Sequence, residues 1–234
     1  MAEISRRKLI SLGVGLMVGT LAGLPGSGYA QSAPKFGLPF QGEPSLGGWR
    51  MRQWYGNTQW AYRQRRALYS SGQGLHFGLD FFAPCGTAIL AIGNGTVLAI
   101  DGPYGAAPHN LLISHPNGYV SLYGHLQERA KLRIGQKVQQ GELVAFSGAP
   151  TGADCDTHPH LHLEIRPANL GGTVNPINLI EADWYNLALG LPGEGLLFQV
   201  NLDEPDLWQT IFDQPQVRFG GSLLNDFAHP WPIR

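Results

Sequence analysis

Between residues 160 and 165 the chain alternates polar and apolar side chains with a period of two. Histidines occupy positions 160 and 162 and a glutamate occupies position 164, whereas the positions between them are Leu161, Leu163 and Ile165. Successive side chains of a strand point to opposite faces of its sheet, so this pattern predicts a strand with His160 and His162 on one face and the leucines in a core. The chain is therefore expected to form a sheet that presents two imidazoles together on a rigid element.

A second stretch with metal-binding side chains lies 84 positions before His160 and begins at His76. His76 and Asp80 are four residues apart, with Gly78 between them, and they share one face if the segment is extended. Imidazoles and carboxylates are common zinc ligands, and a hydrolytic zinc site uses three such ligands and keeps one position open. The two stretches together predict a zinc site, and most of the chain between them is interpreted as the scaffold that joins them.

Short apolar runs separated by turn residues fill the region around these stretches. The chain has 32 glycines and 17 prolines, and this region contains no long helical period. Such runs with glycine-rich breaks are typical of antiparallel sheets, so we predict a mainly β protein with a compact antiparallel β-sheet domain over residues 49–180. The predicted strands are Thr87–Ile92, Gly95–Asp101, Asn110–His115, Tyr119–Tyr123, Glu142–Ser147 and His160–Arg166.

The amino end has the composition of an export signal. Three basic residues at positions 6–8 precede a glycine-diluted apolar run from Leu9 to Leu24, and Ala30 closes a group of small residues suited to a signal peptidase. We expect residues 1–30 to be a signal peptide that is removed on export. The paired arginines favour the twin-arginine route, with general secretion and a retained membrane anchor as the alternatives.

The charge balance argues against two classes of partner. The formal net charge of the chain is −1, with 14% charged residues, and it stays near neutral without residues 1–30. This balance gives no electrostatic footprint for nucleic acid or for an anionic membrane. We therefore expect no nucleic-acid partner and no membrane partner after signal removal.

The two cysteines flank the segments that are predicted to form the site. Cys85 follows Asp80 by five residues, and Cys155 precedes His160 by five. Disulfides persist in exported proteins, so we favour a disulfide between Cys85 and Cys155 that pins the two segments together. Two buried free thiols are the alternative, and zinc ligation by a cysteine is disfavoured because the histidine and aspartate set is already sufficient.

The segments on either side of the predicted sheet have weaker patterns. Residues 31–48 are rich in proline, glycine and serine and are expected to be an extended lead-in. Aromatic residues and arginines interleave between Trp49 and Tyr69, which predicts an irregular arm packed against the sheet or a wall of a substrate groove. We also expect a short helix around Ile180–Leu189, and a C-terminal extension at 181–234 that packs on the core or forms a small independent appendage.

The order of the motifs resembles one known enzyme family. The motifs are His-x-Gly-x-Asp at 76–80, Ala-Pro-Cys-Gly-Thr at 83–87, Tyr-Gly-His-Leu at 123–126 and His-Leu-His-Leu-Glu at 160–164. In order and spacing they resemble the lysostaphin/LytM-type peptidoglycan zinc metallo-endopeptidase family. The resemblance extends over about residues 74–178 and includes Gly-Asn-Gly at 93–95 and Asn-Pro at 175–176.

The resemblance implies a role for each residue of the predicted site. One Zn²⁺ would be held by His76, Asp80 and His162, and the two unligated catalytic histidines would be His125 and His160. The implied protein is a monomeric bacterial zinc metallo-endopeptidase that hydrolyses peptidoglycan stem peptides or cross-bridges. It would be exported to the periplasm, the cell wall or the medium. The run at 152–159 is longer and more acidic than the family's usual run before His-Leu-His, which bears on substrate selection.

Two other functions are compatible with parts of the sequence. Relatives of this fold that have lost metal ligands act as non-catalytic regulatory modules that activate other cell-wall hydrolases, but all five site positions are retained here. A carrier or carbohydrate-binding β domain rests only on the glycine-bounded strands and the Trp/Tyr arm, and it leaves the histidine and aspartate set unexplained. The segment 134–144 resembles the hybrid motif of lipoyl and biotinyl carrier domains, but no exposed lysine hairpin accompanies it, so we interpret this likeness as architectural, a duplicated hybrid motif.

Overall fold

The computed structural model describes residues 35–189, 198–201, 204 and 206–225 of the chain. The predicted signal peptide at 1–30, with its twin-arginine motif, lies outside these residues, as do parts of the lead-in and of the C-terminal extension. Within the described ranges, no helix has both the length and the apolar character needed to cross a bilayer.

Antiparallel strands make up most of the regular structure. The strands among the described residues are β1 Arg50–Gln53, β2 Leu79–Phe82, β3 Ala88–Leu90, β4 Gly95–Ile100, β5 His109–Ser114, β6 Tyr119–Leu126, β7 Lys137–Val138, β8 Leu143–Phe146, β9 His160–Pro167, β10 Gly172–Thr173, β11 Phe198–Val200, β12 Trp208–Thr210 and β13 Val217–Arg218. The α-helices are α1 Gln59–Arg63 and α2 Trp184–Leu189, and 3-10 turns occupy Ser70–Gly72 and Pro176–Asn178. Every pairing between these strands is antiparallel, which confirms the predicted mainly β class. The carrier-like hybrid motif stays a prediction.

The main sheet places β9 between two other strands of the site. Its seven strands run in the order β1-β2-β9-β6-β5-β4-β7, and the pairs β3-β8, β10-β13 and β11-β12 form small separate sheets. Because β9 pairs with β2 on one side and with β6 on the other, its backbone is hydrogen-bonded along both edges. The histidines of β9 are thus carried by a strand that cannot shift without breaking both ladders.

Apolar side chains on one face of the sheet fix the register of these strands. Leu161, Leu163 and Ile165 of β9 are fully buried, as are Leu79 and Phe81 of β2. Each such burial contributes about 1.5–3 kcal/mol relative to exposure. A shift of one residue would turn the whole apolar set to the other face, so the core holds the histidine face in place.

All six predicted strands occur, with ends that differ by at most three residues. The largest difference is in β6, which continues three residues beyond Tyr123 and contains His125. The expected short helix corresponds to α2. Several strands escaped prediction because they contain only two to four residues, too few to show a period.

The prediction of an irregular arm was wrong for Arg50–Gln53. These residues form β1, an edge strand that pairs with β2. The segment carries one fully buried apolar side chain, that of Met51, which is 1% exposed. Backbone pairing with a buried neighbour thus determines the strand, and this pairing partner lies about 30 residues away, beyond the reach of a local pattern.

The described part of the C-terminal extension contacts the segments around the arm. Strand β13 pairs with β10, and the hydroxyl of Tyr55 donates to the Thr173 carbonyl oxygen and accepts from the Val217 amide, both at 2.9 Å. The side chain of Asn225 donates to the Gly74 carbonyl oxygen. These bonds tie residues 217–225 to the chain just before His76, whereas the division at residue 180 stays a prediction.

Candidate metal centre

Three polar side chains converge where β2 and β9 pair. Asp80 lies opposite His162 in the antiparallel register, and Phe82 lies opposite His160. His76 precedes β2 and is held by two backbone hydrogen bonds with Gly56, at 2.8 and 2.9 Å. The potential ligand atoms of His76, Asp80 and His162 all lie within 4.8 Å of one another.

The distances within this group are short. Oδ1 of Asp80 lies 2.7 Å from Nδ1 of His162 and 3.2 Å from Nε2 of His76, and the two ring nitrogens are 3.3 Å apart. The three residues are between 1% and 6% exposed. A set of two imidazole nitrogens and one carboxylate oxygen, buried and convergent, fits a metal ion that takes nitrogen and oxygen ligands.

Hydrogen bonds on the outer side of each imidazole decide which nitrogen faces the centre. Nδ1 of His76 donates to the Trp54 carbonyl oxygen at 2.6 Å, so the lone pair of its Nε2 points to the group. Nε2 of His162 lies 3.0 Å from Oε1 of Glu164, so Nδ1 of His162 points to the group. Outer partners of this kind fix the tautomer and the orientation of metal-binding histidines.

The electrostatics of the centre favour a positive charge. Burial alone would raise the pKa of Asp80, but the adjacent His76, His160 and His162 hold it well below its usual range. Burial alone would lower the pKa of His162, but the carboxylates of Asp80 and Glu164 outweigh burial and raise it to about 9. A cation between the three ligand atoms would take the place of the proton that these carboxylates attract.

His125 reaches the centre through a β-bulge in β6. His109 pairs with Leu126 and Asn110 pairs with Gly124, so His125 is the extra residue on its strand. Its φ of +55° lies in the left-handed region, which is unusual for a residue other than glycine. The bulge turns the ring out of the alternation of β6, and the ring centroid lies 4.8 Å from that of His160 and 5.8 Å from that of His162.

The backbone of the loop before β5 holds His125. Nδ1 of His125 donates to the Ala107 carbonyl oxygen at 2.6 Å, and its amide donates to the Ala106 carbonyl oxygen at 2.9 Å. Burial, together with the nearby His162 and His160 rings, lowers the pKa of His125 to about 3. The ring is therefore neutral near neutral pH, and its Nε2 carries an unprotonated lone pair.

His160 is oriented in the same way. Nδ1 of His160 donates to the His158 carbonyl oxygen at 2.9 Å, and Nε2 lies 3.9 Å from Oδ2 of Asp80. Burial lowers the pKa of His160, although Asp80 acts in the opposite direction. The His158 side chain is exposed, so His158 serves the centre through its backbone.

A buried ion pair extends the centre along β9. Oε2 of Glu164 accepts a 2.6 Å hydrogen bond from Nε of Arg166, and Nη2 of Arg166 donates to the Tyr104 carbonyl oxygen at 2.7 Å. Glu164 is 1% exposed and Arg166 is 4% exposed. Burial alone would raise the pKa of Glu164, but His162 and Arg166 lower it. This series of contacts connects His162 to the loop that positions His125.

Two glycines leave the space that this arrangement needs. A Cβ at Gly78 would lie 2.3 Å from the Leu163 carbonyl oxygen, and one at Gly124 would lie 2.2 Å from Cβ of Ala106. Gly124 pairs with His162 across the β6-β9 ladder. The chain before β2 can thus approach β9, and the loop at Ala106 can approach β6, only because these positions carry no side chain.

A disulfide joins the two segments that flank the centre. Cys85 and Cys155 are bonded, with Cα atoms 5.6 Å apart, as the spacing of the cysteines predicted. The bond connects the turn after β2 to the exposed loop that leads into β9. It fastens that loop at the edge of the site.

All five residues predicted for the site are therefore neighbours, although their individual roles stay a prediction. Sequence reasoning missed the part that Glu164 and Arg166 play. The sequence pattern does indicate them, since Glu164 and Arg166 continue the alternation of His160 and His162 and so project from the same face of the strand. The carbonyl groups of Trp54, Ala107 and His158 had no signal, because every residue has such a group.

Comparisons with known proteins agree with this geometry. Residues 74–176 match the family described as peptidase family M23. The DD-carboxypeptidase/endopeptidase Mpg of Neisseria meningitidis serogroup B is 34% identical over 123 residues, which cover 53% of this chain and 26% of Mpg. The peptidoglycan DD-endopeptidase ShyC of Vibrio cholerae is 39% identical over 90 residues, which cover 38% of this chain and 19% of ShyC.

The chain spans about a quarter or less of the length of these curated relatives. Among solved structures, a zinc-containing peptidase from Vibrio cholerae is similar with 26% identity and a TM-score of 0.47, over 64% of this chain and 40% of that one. The family match covers β2 to β10 and includes all five site positions. The match to peptidase family M23 thus extends over residues 74–176, a little under half of the chain.

Proposed function

We propose that this chain is an exported zinc metallo-endopeptidase that hydrolyses peptide bonds in peptidoglycan stem peptides or cross-bridges. The observation that carries the proposal is the pairing of a convergent His76, Asp80 and His162 set with two further histidines beside it. The names of the relatives support the substrate class, since one is a DD-carboxypeptidase/endopeptidase and another a peptidoglycan DD-endopeptidase.

His76, Asp80 and His162 would hold one zinc ion. When bound, zinc supplies a Lewis acid that polarises the scissile carbonyl and lowers the pKa of a coordinated water to about 7. The carboxylates of Asp80 and Glu164 would offset the positive charge of the zinc ion, since both lie within hydrogen-bonding distance of the ligand His162. Three protein ligands leave room for substrate, as in other hydrolytic zinc sites.

His125 and His160 would handle the protons of the reaction. Each carries its own proton on Nδ1, which donates to a backbone carbonyl oxygen, so each offers the lone pair of Nε2. A ring that accepts the proton of the attacking water through this lone pair can then pass it to the leaving amine. While it carries that proton, the ring would also stabilise negative charge that develops on the carbonyl oxygen.

The disulfide supports a location outside the cytoplasm. A Cys85–Cys155 bond persists in oxidising compartments and is rare in the cytosol. Peptidoglycan lies in such a compartment, which fits the export signal that we expect at residues 1–30. All five site residues belong to one chain, so a monomer can form the proposed site.

The proposal is tested with purified mature protein, His125→Ala and His162→Ala. We expect about one zinc per wild-type chain, as a single three-ligand site requires, and release of new amino groups from peptidoglycan. His125→Ala should abolish release with zinc retained, whereas His162→Ala should lose both zinc and activity. A wild-type protein with full zinc that releases no amino groups from several chemically distinct peptidoglycans would contradict the proposal and favour the regulatory module.

A further inference from the structure

Strand β1 has a β-bulge directly opposite a residue of the metal centre. Met51 pairs with Phe81 and Gln53 pairs with Asp80, so Arg52 is the extra residue on β1. Two residues of β1 therefore lie opposite Asp80, and a bulge of this kind takes its extra side chain out of the normal alternation. The same device brings His125 to the centre from the other side, on β6.

The strand pairing places Arg52 on the face of the sheet that carries the metal centre. Met51 pairs with Phe81 and is buried in the core, so the next side chain along β1, that of Arg52, projects from the opposite face. That face carries Asp80 and, across the β2-β9 ladder, His162. Arg52 therefore belongs to the side of the sheet on which a substrate would meet the metal centre.

The guanidinium of Arg52 is not used by the fold. Within the part of the chain that the structure describes, it has no hydrogen bond or ion pair, and the side chain is partly buried. Arg50, two residues earlier, provides the contrast. Its guanidinium lies 3.7 Å from the ring centroid of Phe82 and donates to the Leu46 carbonyl oxygen at 3.0 Å.

The carboxylates around the centre are already paired, so they give Arg52 no ion pair that would stabilise the fold. Asp80 already contacts His76 and His162, and Glu164 already contacts His162 and Arg166. A bound divalent cation would add two more positive charges nearby, and like charges repel. A partly buried cation without a partner is therefore explained best by an anion that arrives with the substrate.

We propose that Arg52 binds a carboxylate of the substrate, so that the site selects peptides with a free carboxylate near the scissile bond. The planar guanidinium forms two parallel hydrogen bonds with a carboxylate. This inference rests on the proposed function and narrows its substrate class to acidic stem peptides, in preference to uncharged glycine bridges. The carboxylate is either the C-terminal group of the peptide or one on a side chain.

The test uses four synthetic peptides of one sequence with wild-type protein, Arg52→Gln, Arg52→Lys and Arg50→Gln. The peptides carry a free or amidated C-terminus and a free or amidated side-chain carboxylate, which separates the two sources. A charge-assisted pair predicts that wild type prefers the free acid in kcat/KM by about 10- to 100-fold. In Arg52→Gln the ratio of kcat/KM for the free-acid peptide to kcat/KM for the amide peptide should fall to about one, through a change in KM. The ratio should recover in part in Arg52→Lys and should stay at the wild-type value in Arg50→Gln.

Zinc content and thermal midpoint serve as folding controls for each variant. An equal loss in Arg52→Gln on acid and amide peptides would assign Arg52 a structural role and overturn the inference. Calorimetric binding of the free-acid peptides gives a readout that does not need turnover. If wild type cleaves neither these peptides nor the peptidoglycans, the proposed function fails. A difference between wild type and Arg52→Gln in binding the free-acid peptides would still support the carboxylate subsite, and equal binding would overturn it.

Discussion

His162 and Glu164 form a hydrogen bond of 3.0 Å between Nε2 and Oε1, while Nδ1 of the same ring faces Asp80 at 2.7 Å. One side of the imidazole is thus held by a buried carboxylate and the other is turned to the centre. Glu164 itself reaches no other ligand residue. Its effect on the centre passes through the orientation and the basicity of His162.

Replacing Glu164 with glutamine should weaken zinc binding. The amide can still accept a hydrogen bond from His162 but removes the negative charge that favours a cation, so we expect a 10- to 100-fold loss of affinity. Competition with a chromogenic chelator measures the constant. Glu181→Gln, the same change at an exposed position, is the control and should bind zinc like wild type. An unchanged affinity in Glu164→Gln would show that Glu164 only fills space.

Arg166→Met should destabilise the fold. The change leaves the carboxylate of Glu164 buried without its ion-pair partner and frees the Tyr104 carbonyl oxygen. Breaking a buried pair from one side costs about 3–5 kcal/mol in the free energy of unfolding. Urea denaturation measures the loss, and the double variant Glu164→Gln with Arg166→Met should lose less than the sum of the single changes. Strict additivity would contradict the pair.

Gly124→Ala should impair turnover more than zinc binding. The new Cβ would lie 2.2 Å from Cβ of Ala106, so it must displace the loop whose carbonyl groups orient His125. We expect turnover to fall by at least about tenfold, since small displacements of catalytic groups are costly, with zinc retained. Gly47→Ala adds a methyl group where no atom lies within 4 Å and should be silent. Loss of zinc in Gly124→Ala would place the damage at His162 instead.

Removal of the disulfide should lower stability. Cys85 and Cys155 are 70 residues apart in sequence, and closing a loop of that length in the unfolded chain corresponds to about 4 kcal/mol in the chain-entropy model. Serine at both positions avoids an unpaired thiol. The midpoint of urea unfolding is compared with that of wild type under non-reducing conditions. Equal midpoints would mean that the bond affects the loop before β9 and not the stability of the domain.

His115 should make stability depend on pH in a defined window. Burial lowers the pKa of His115 in the folded protein, although the hydrogen bond with the Asn94 carbonyl group acts in the opposite direction. In the unfolded chain the ring takes up a proton at its ordinary pKa of about 6.5, so protons bind the unfolded state more readily than the folded state. The neutral ring therefore contributes its full stability above about pH 6.5, and this contribution is lost as pH falls toward the lower folded value. The unfolding free energy of wild type and His115→Gln is measured from about pH 7.5 to about pH 5. A parallel dependence in both proteins would exclude His115 as the cause.

Local sequence patterns correctly predicted the strands that bury one full apolar face. The alternation from His160 to Ile165 gave the correct strand and placed both histidines on one side. The same rule fails at His125, which follows the buried Tyr123 by two residues and would by parity point into the core. A bulge and a φ of +55° turn it to the centre. Parity cannot indicate a bulge, because the extra residue is defined only by the partner strand.

The sequence by itself determined which side chains are presented and on which face of β9 they lie, since a period of two is a property of neighbouring residues. Only the tertiary structure decided how the rings are aimed. The carbonyl oxygen that orients His76 is 22 residues away, and the one that orients His125 is 18 residues away. Backbone carbonyl groups are identical along the chain, so their selection depends on how distant segments pack. The bulges that bring His125 and Arg52 to the site arise from the same packing.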